Sequence, residues 1–205
     1  MDMTGVNHRP TLRDEQAEVT RRRITEAARS LFAVRGYGAT TMQAVAAEAG
    51  VAVQTVYAIY RSKAGVLRAL RAAVVVQPDA EALFREAISA ESDGRKLELF
   101  ARSIRQRWQF GSDVVRFHLE AASTDPTVRA EVDEVLARRR GGIEALAVSL
   151  DVVRLSDATR AWAAAIIDAL TMPELYAELT GVHGWTPDEF ETWLAGSLKS
   201  QLLGV

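Results

Sequence analysis

Four apolar periods packed into residues 21–71, parted by glycines and reopened by a hydroxyl cap, constrain this chain more than any other feature. The stretch reads RRRITEAARSLFAVRGYGATTMQAVAAEAGVAVQTVYAIYRSKAGVLRALR. Ile24, Ala27, Ala28, Leu31 and Phe32 follow the i, i+3, i+4, i+7, i+8 spacing of a helix with one buried face. Gly36 and Gly38 break that helix, and Met42, Val45, Ala46 and Ala49 repeat the pattern on a short second one. Gly50 stands where a left-handed residue stops a helix at little steric cost. Val53, Val56, Tyr57 and Tyr60 give a third helix one packed face, and Ser62 is placed as the N-cap of a fourth. Two short helices joined by a tight glycine turn make a helix-turn-helix arrangement, which points to nucleic acid.

The charge distribution agrees. The net charge of −2 conceals 11 Lys+Arg against 6 Asp+Glu in residues 1–75, a balance of +5, and 14 against 21 in the remainder, a balance of −7. A basic N-terminal block on an acidic body suits phosphate binding by one end. The absence of cysteine excludes disulfides and thiolate metal sites. No apolar run approaches the roughly 18 residues of a membrane span, and the opening MDMTGVNHRPTLRDE lacks the apolar core of a signal peptide. A cytoplasmic location without membrane partners is the expectation.

The same segment resembles the tetracycline-repressor (TetR) family of bacterial transcription regulators. The matching elements are ARSLF at Ala28–Phe32, Gly36, Thr40-Thr41-Met42, Val45-Ala46, Ala49-Gly50-Val51, Thr55-Val56-Tyr57 and Ser62-Lys63, covering about the first third of the chain. Ala52 and Val53 depart from the usual polar residues, Ile59 from an aromatic or histidine, and Tyr60 from phenylalanine. The resemblance implies an all-α fold, with a three-helix helix-turn-helix module on a larger C-terminal body that binds effector and dimerises. The boundaries follow: residues 1–20 as a tail and the start of the first helix, 21–70 as the DNA-binding domain, and 71–205 as the body. No Gly/Ser-rich linker separates the two, so motion of the body is expected to pass into the module.

Beyond the module, caps punctuate a helical chain. Pro78-Asp79 opens a helix to about Glu91, ended by Asp93-Gly94; Arg95 to Phe110 and Asp113 to Ala122 read as two further helices. Asp125-Pro126 is an N-cap followed by proline at N1, and Gly141-Gly142 predicts a kink or break in the helix that follows. Ser156 caps an apolar segment, Thr171-Met172-Pro173-Glu174 has the form of a capping box, and Thr186-Pro187-Asp188-Glu189 is a clearer one. No alternating β-pattern of useful length occurs.

Gln54 is the first candidate base reader, because its amide can bond adenine N6 and N7 together in the major groove. Thr55 suits a thymine methyl or a phosphate, and Val53 offers apolar contact. The resemblance implies that Thr40 and Thr41 at the start of the second helix, Tyr57 and Lys63 touch the DNA backbone. Lys63 also adds charge to a helix N-terminus, a natural anion site. Tyr60 fits phosphate contact or packing equally. Arg21 and Arg22 fit a phosphate contact or a solvated face, and Arg9 and Arg13 belong to a tail within reach of a minor groove. One recognition helix reads too few base pairs for useful specificity, so a homodimer on a palindrome is expected. Small residues in 156–170 and 186–203, with Ala161, Ala165, Ala169, Leu194 and Leu198, form the candidate dimer surface.

The resemblance implies an effector pocket in the body. Trp108, Phe110, Phe117, His118, Glu120, Trp162, Met172 and Tyr176 are the candidate lining, each equally readable as core. Asp168, inside the apolar run AAAIIDALTM, needs a partner in the core, in a ligand or in a second subunit. Catalysis is not expected: His118 and Glu120 diverge on a helix, and no phosphate loop, nucleophile elbow or zinc-spaced set occurs. No cofactor or metal is expected. The reading is a ligand-responsive transcriptional regulator, a repressor of a double-stranded operator; the alternative is a helical interaction module without specific DNA binding.

Overall fold

The computed structural model describes residues 11–75, 78–151 and 157–204, and every regular element among them is helical. The chain divides into two compact units, residues 1–70 and 71–205. The first holds α1 (Leu12–Ala39), α2 (Met42–Ala49), α3 (Val53–Tyr60) and the larger part of α4 (Lys63–Val75). At Gly36 the backbone of α1 leaves helical geometry, with φ 79° and ψ 160°, so the expected glycine break is real. Ile24, Ala28, Phe32, Val45, Ala46, Val56, Val66 and Leu67 are each at most 1% exposed and make up a core drawn from all four helices.

The second unit comprises α5 (Pro78–Ser89), α6 (Asp93–Ala122), α7 (Pro126–Ser149), α8 (Asp157–Leu170), α9 (Pro173–Ala177), a π-helical turn over Glu178–Val182, and α10 (Pro187–Leu203). Leu97, Phe100, Leu146, Ile167, Phe190, Leu194 and Leu198 bring α6, α7, α8 and α10 into one apolar cluster. Each such side chain contributes about 1.5–3 kcal/mol by leaving water. Tyr176 stacks edge-on against Phe190, with ring centroids 4.9 Å apart.

Several local expectations give way to packing. Asp93 opens α6 behind a Ser92 N-cap that accepts from Arg95 N at 3.3 Å, and Gly111-Ser112 does not divide this 30-residue helix. Gly111 is buried on its packed face, and core contacts along both halves outweigh the roughly 1 kcal/mol a helical glycine costs. Likewise α7 continues through Gly141-Gly142, because buried Val128 and Val132 before the pair and Ile143, Leu146 and Ala147 after it anchor the same helix. The chain does restart at Pro173, yet Thr171 is not its cap. The Thr171 hydroxyl donates to Ile167 O at 2.6 Å and accepts from Arg139 at 2.9 Å. The Asp125 cap and the Thr186–Glu189 capping box are present as expected, whereas Ser156 lies outside the described residues.

Candidate nucleic-acid interface

The helix-turn-helix is set by one residue's backbone. Gly50 adopts φ 64° and ψ 41°, and its N–H and that of Val51 return to carbonyls of the last turn of α2. That left-handed step turns the chain within three residues into α3. Thr41 caps α2, its hydroxyl accepting from Ala44 N at 3.1 Å, while the residue stays exposed with its own O–H available. Ala52, the N-cap of α3, supplies no side-chain acceptor, so the first N–H groups of α3 are not capped by a side chain.

On α3 only Val56 is fully buried. Gln54 and Ala58 are exposed, Tyr57 is 44% exposed, and Val53 and Thr55 are half-buried. Tyr57 therefore does not belong to the packed face its spacing suggested; its ring is presented outward. Together Gln54, Tyr57 and Thr41 place an amide, a phenol and a hydroxyl on the open surface of the motif, with Thr55 half-buried beside them.

Two predicted phosphate ligands are turned inward instead. Thr40 is 1% exposed and its hydroxyl donates to Gly36 O at 2.8 Å. Lys63 does not face outward from the α4 N-terminus: its ammonium donates to Tyr37 O at 2.6 Å, Gly38 O at 3.2 Å and Thr40 O at 2.9 Å, and lies 4.3 Å from the Tyr37 ring centroid. After the break at Gly36 the Tyr37, Gly38 and Thr40 carbonyls lie close together, and a cation on a long stem reaches all three at once. Tyr60 also packs, donating to Arg21 O at 3.2 Å, and burial raises its phenol pKa above the ordinary value. Arg22 is exposed; Arg21 is exposed and paired with Glu18 at 3.2 Å. Arg13 is exposed in the first turn of α1, and Arg9 lies outside the described residues.

In the second unit, the eight candidate effector residues do not line one cavity. Phe110 (43%), Trp162 (47%), Met172 (47%) and Glu120 are exposed, whereas Trp108 and Tyr176 belong to the main core. Phe117 and His118 are buried near the α6–α7 turn. Two surface concavities, of about 460 and 370 Å³, lie against α10 and hold none of the eight. The dimer candidates also separate: Ala161, Ala165 and Ala169 are exposed along α8, but Leu194 and Leu198 are fully buried in their own core and offer no surface to a partner. The partner Asp168 requires is Arg139 of α7, in a direct ion pair. The same guanidinium donates to Asp168 O and the Thr171 hydroxyl, while Trp108 Nε1 donates to Thr171 O at 3.0 Å. The apolar run signalled that Asp168 needed a partner; nothing local to it signalled Arg139. Among the described residues no cluster has the makings of a metal site, and no helix is long and apolar enough to cross a membrane.

Residues 24–70 match the family model described as bacterial regulatory proteins, tetR family. No curated protein matches the chain by sequence. The MbdR regulator from Azoarcus sp. CIB shares the fold with a TM-score of 0.70 at 20% identity, over 91% of this chain and 98% of that one. The TetR family transcriptional regulator PfmR from Thermus thermophilus gives 0.65 at 20% identity, over 95% and 97%. A protein from Saccharomonospora viridis solved in complex with choline gives 0.64 at 23% identity, over 89% and 96%. Likeness at these identities carries the fold along nearly the whole chain.

Proposed function

We propose, from the match of residues 24–70 to the tetR family of bacterial regulatory proteins, that this chain is a DNA-binding homodimeric repressor. It reads a palindromic operator with two copies of α3 and leaves the operator when a small molecule occupies the second unit. The observation that carries the reading is the outward face of α3, where Gln54 and Tyr57 are free of the core behind a left-handed Gly50 turn. Gln54 is the base reader; Thr41, Thr55, Tyr57 and Arg22 supply phosphate donors. With few polar groups on the recognition helix, DNA shape contributes much of the specificity. The exposed Ala161, Ala165 and Ala169 recur every four residues on α8 beside Trp162, a face suited to close packing against its symmetry mate.

Binding is tested on fragments flanking the gene, titrated across salt. Specific affinity should fall steeply as salt rises, because phosphate contacts release counterions; no preference for any fragment would return the chain to the interaction-module reading. Gln54→Ala should lose about 1–3 kcal/mol of discrimination at one base pair. Unchanged preference at every position would remove Gln54 as a reader. Trp162→Glu should shift the dimer to monomer in sedimentation.

A further inference from the structure

The larger of the two concavities against α10, about 460 Å³, is lined by Trp185, Thr186, Asp188, Glu189, Thr192 and Trp193. That volume is in the range of small-molecule sites. Trp185 and Trp193 are half-buried, their ring centroids 5.8 Å apart and their planes inclined at 75°. The Trp185 N–H donates to Leu179 O at 3.0 Å, which anchors the loop that carries it, and Trp193 is backed by Phe190 at 5.9 Å. Two indoles nearly at right angles make adjoining walls, the arrangement in which aromatic rings hold a methylated ammonium. The polar lining has the matching sign. Asp188 and Glu189 are carboxylates, and among the described residues no basic side chain lines the space. The Thr186 N–H and O–H donate to Glu189 at 2.7 and 2.8 Å and hold its pKa below the ordinary value. The Asp188 side chain is 87% exposed; Arg105 reaches it at 3.6 Å but also binds Glu191 at 3.0 Å, so that cation is shared. The Thr192 hydroxyl donates to Asp188 O at 2.9 Å, so neither threonine hydroxyl is left to donate to an anion. The α10 N-terminus brings about half a positive charge, less than the two carboxylates of its first turn supply.

We propose that this concavity binds an organic cation, a quaternary or methylated ammonium, with its methyl groups against Trp185 and Trp193 and its charge beside Asp188 and Glu189. The inference rests on the reading of the second unit as the effector-binding body only for its regulatory consequence; the binding stands on the lining itself. Anions and neutral molecules of the same shape are discriminated against. An anion is repelled by both carboxylates, and a neutral frame forgoes the attraction between a cation and the indole π-face.

The test titrates the full chain with tetramethylammonium chloride and with tert-butanol, a neutral molecule of similar shape, at ionic strength held constant with sodium chloride. Indole ¹⁵N–¹H resonances and calorimetry follow the binding. Tetramethylammonium should move the Trp185 and Trp193 resonances and bind about fivefold more tightly than tert-butanol, the worth of an exposed cation–π contact. Trp185→Leu should erase that preference. Asp188→Asn, at an exposed position where the fold is not at stake, should weaken the cation alone. Equal binding of the two probes, Trp185 and Trp193 resonances that stay still, or a preference that survives in both W185L and D188N overturns the assignment. Operator release is scored apart. A cation bound at the two indoles that leaves DNA binding unchanged keeps the site and denies it control of the operator, whereas a chain that binds no operator fails as a regulator with the titration intact.

Discussion

The two units hold their helices together by different means. In residues 11–70 the long α1 is joined to three shorter helices by side chains on backbone: Lys63 on three carbonyls, the Thr40 hydroxyl on Gly36 O, the Tyr60 phenol on Arg21 O. In the second unit helices of up to 30 residues share an apolar cluster, and charged side chains tie one to another. Arg102 and Arg105 grip the two oxygens of Glu191 at 3.0 Å each, Lys199 reaches Glu98 at 2.5 Å, and Arg139 pairs with Asp168. Buried Lys96 joins Asp93 at 3.1 Å and Ser149 O at 2.5 Å, tying the start of α6 to the end of α7. The contrast has a functional consequence. The first unit spends Lys63, Thr40 and Tyr60 on its own backbone, so fewer polar groups remain on its outward surface than the motif suggests.

The strongest challenge to this contrast lies in the second unit. Leu198→Ala should destabilise it by about 2–5 kcal/mol through lost burial and a cavity, with the oligomeric state unchanged in sedimentation. An unaltered melting temperature with a weakened dimer would return Leu198 to an interface. Next comes Gly65→Ala in the first unit. A Cβ at Gly65 would overlap Tyr60 O, a backbone atom that cannot move without shifting the α3–α4 turn. The expected loss is about 1–3 kcal/mol by overpacking, read in thermal unfolding.

Lys63→Met should cost about 2 kcal/mol, because three carbonyls lose a charged donor. Urea titration of the variant checks this, and operator affinity should fall only as the unit unfolds. Full stability with lost affinity would restore Lys63 to the phosphate contacts. The smallest effect is a gain. A Cβ at Gly141 meets nothing within 4 Å in a helix that is already continuous, so Gly141→Ala should stabilise α7 by about 0.5–1 kcal/mol. A loss on calorimetry would mean that the glycine pair carries strain after all.

Some of this was legible before any coordinates. The Gly50 stop, the Ser62 cap, Asp125-Pro126 and the Thr186–Glu189 box each involve atoms within four residues of one another, so their chemistry is complete in the local sequence. The place of α3 was legible too, since the turn fixes where it starts, but which of its side chains face outward was not: Tyr57 left the packed face its spacing suggested. Gly111 and Gly141-Gly142 misled because a glycine penalty near 1 kcal/mol is smaller than the burial available along α6 and α7.

What the sequence by itself determined is the all-helical class, the helix ends at Gly50, Ser62, Asp125 and Thr186, and the helix-turn-helix, all consequences of short-range hydrogen bonding and apolar period. Tertiary structure alone decided which way each polar side chain turns. Lys63 meets carbonyls more than 20 residues behind it, and Asp168 meets Arg139 across 29. Partners that far apart along the chain are chosen by helix packing, and no local pattern encodes which carbonyl or guanidinium will be nearest when the core closes.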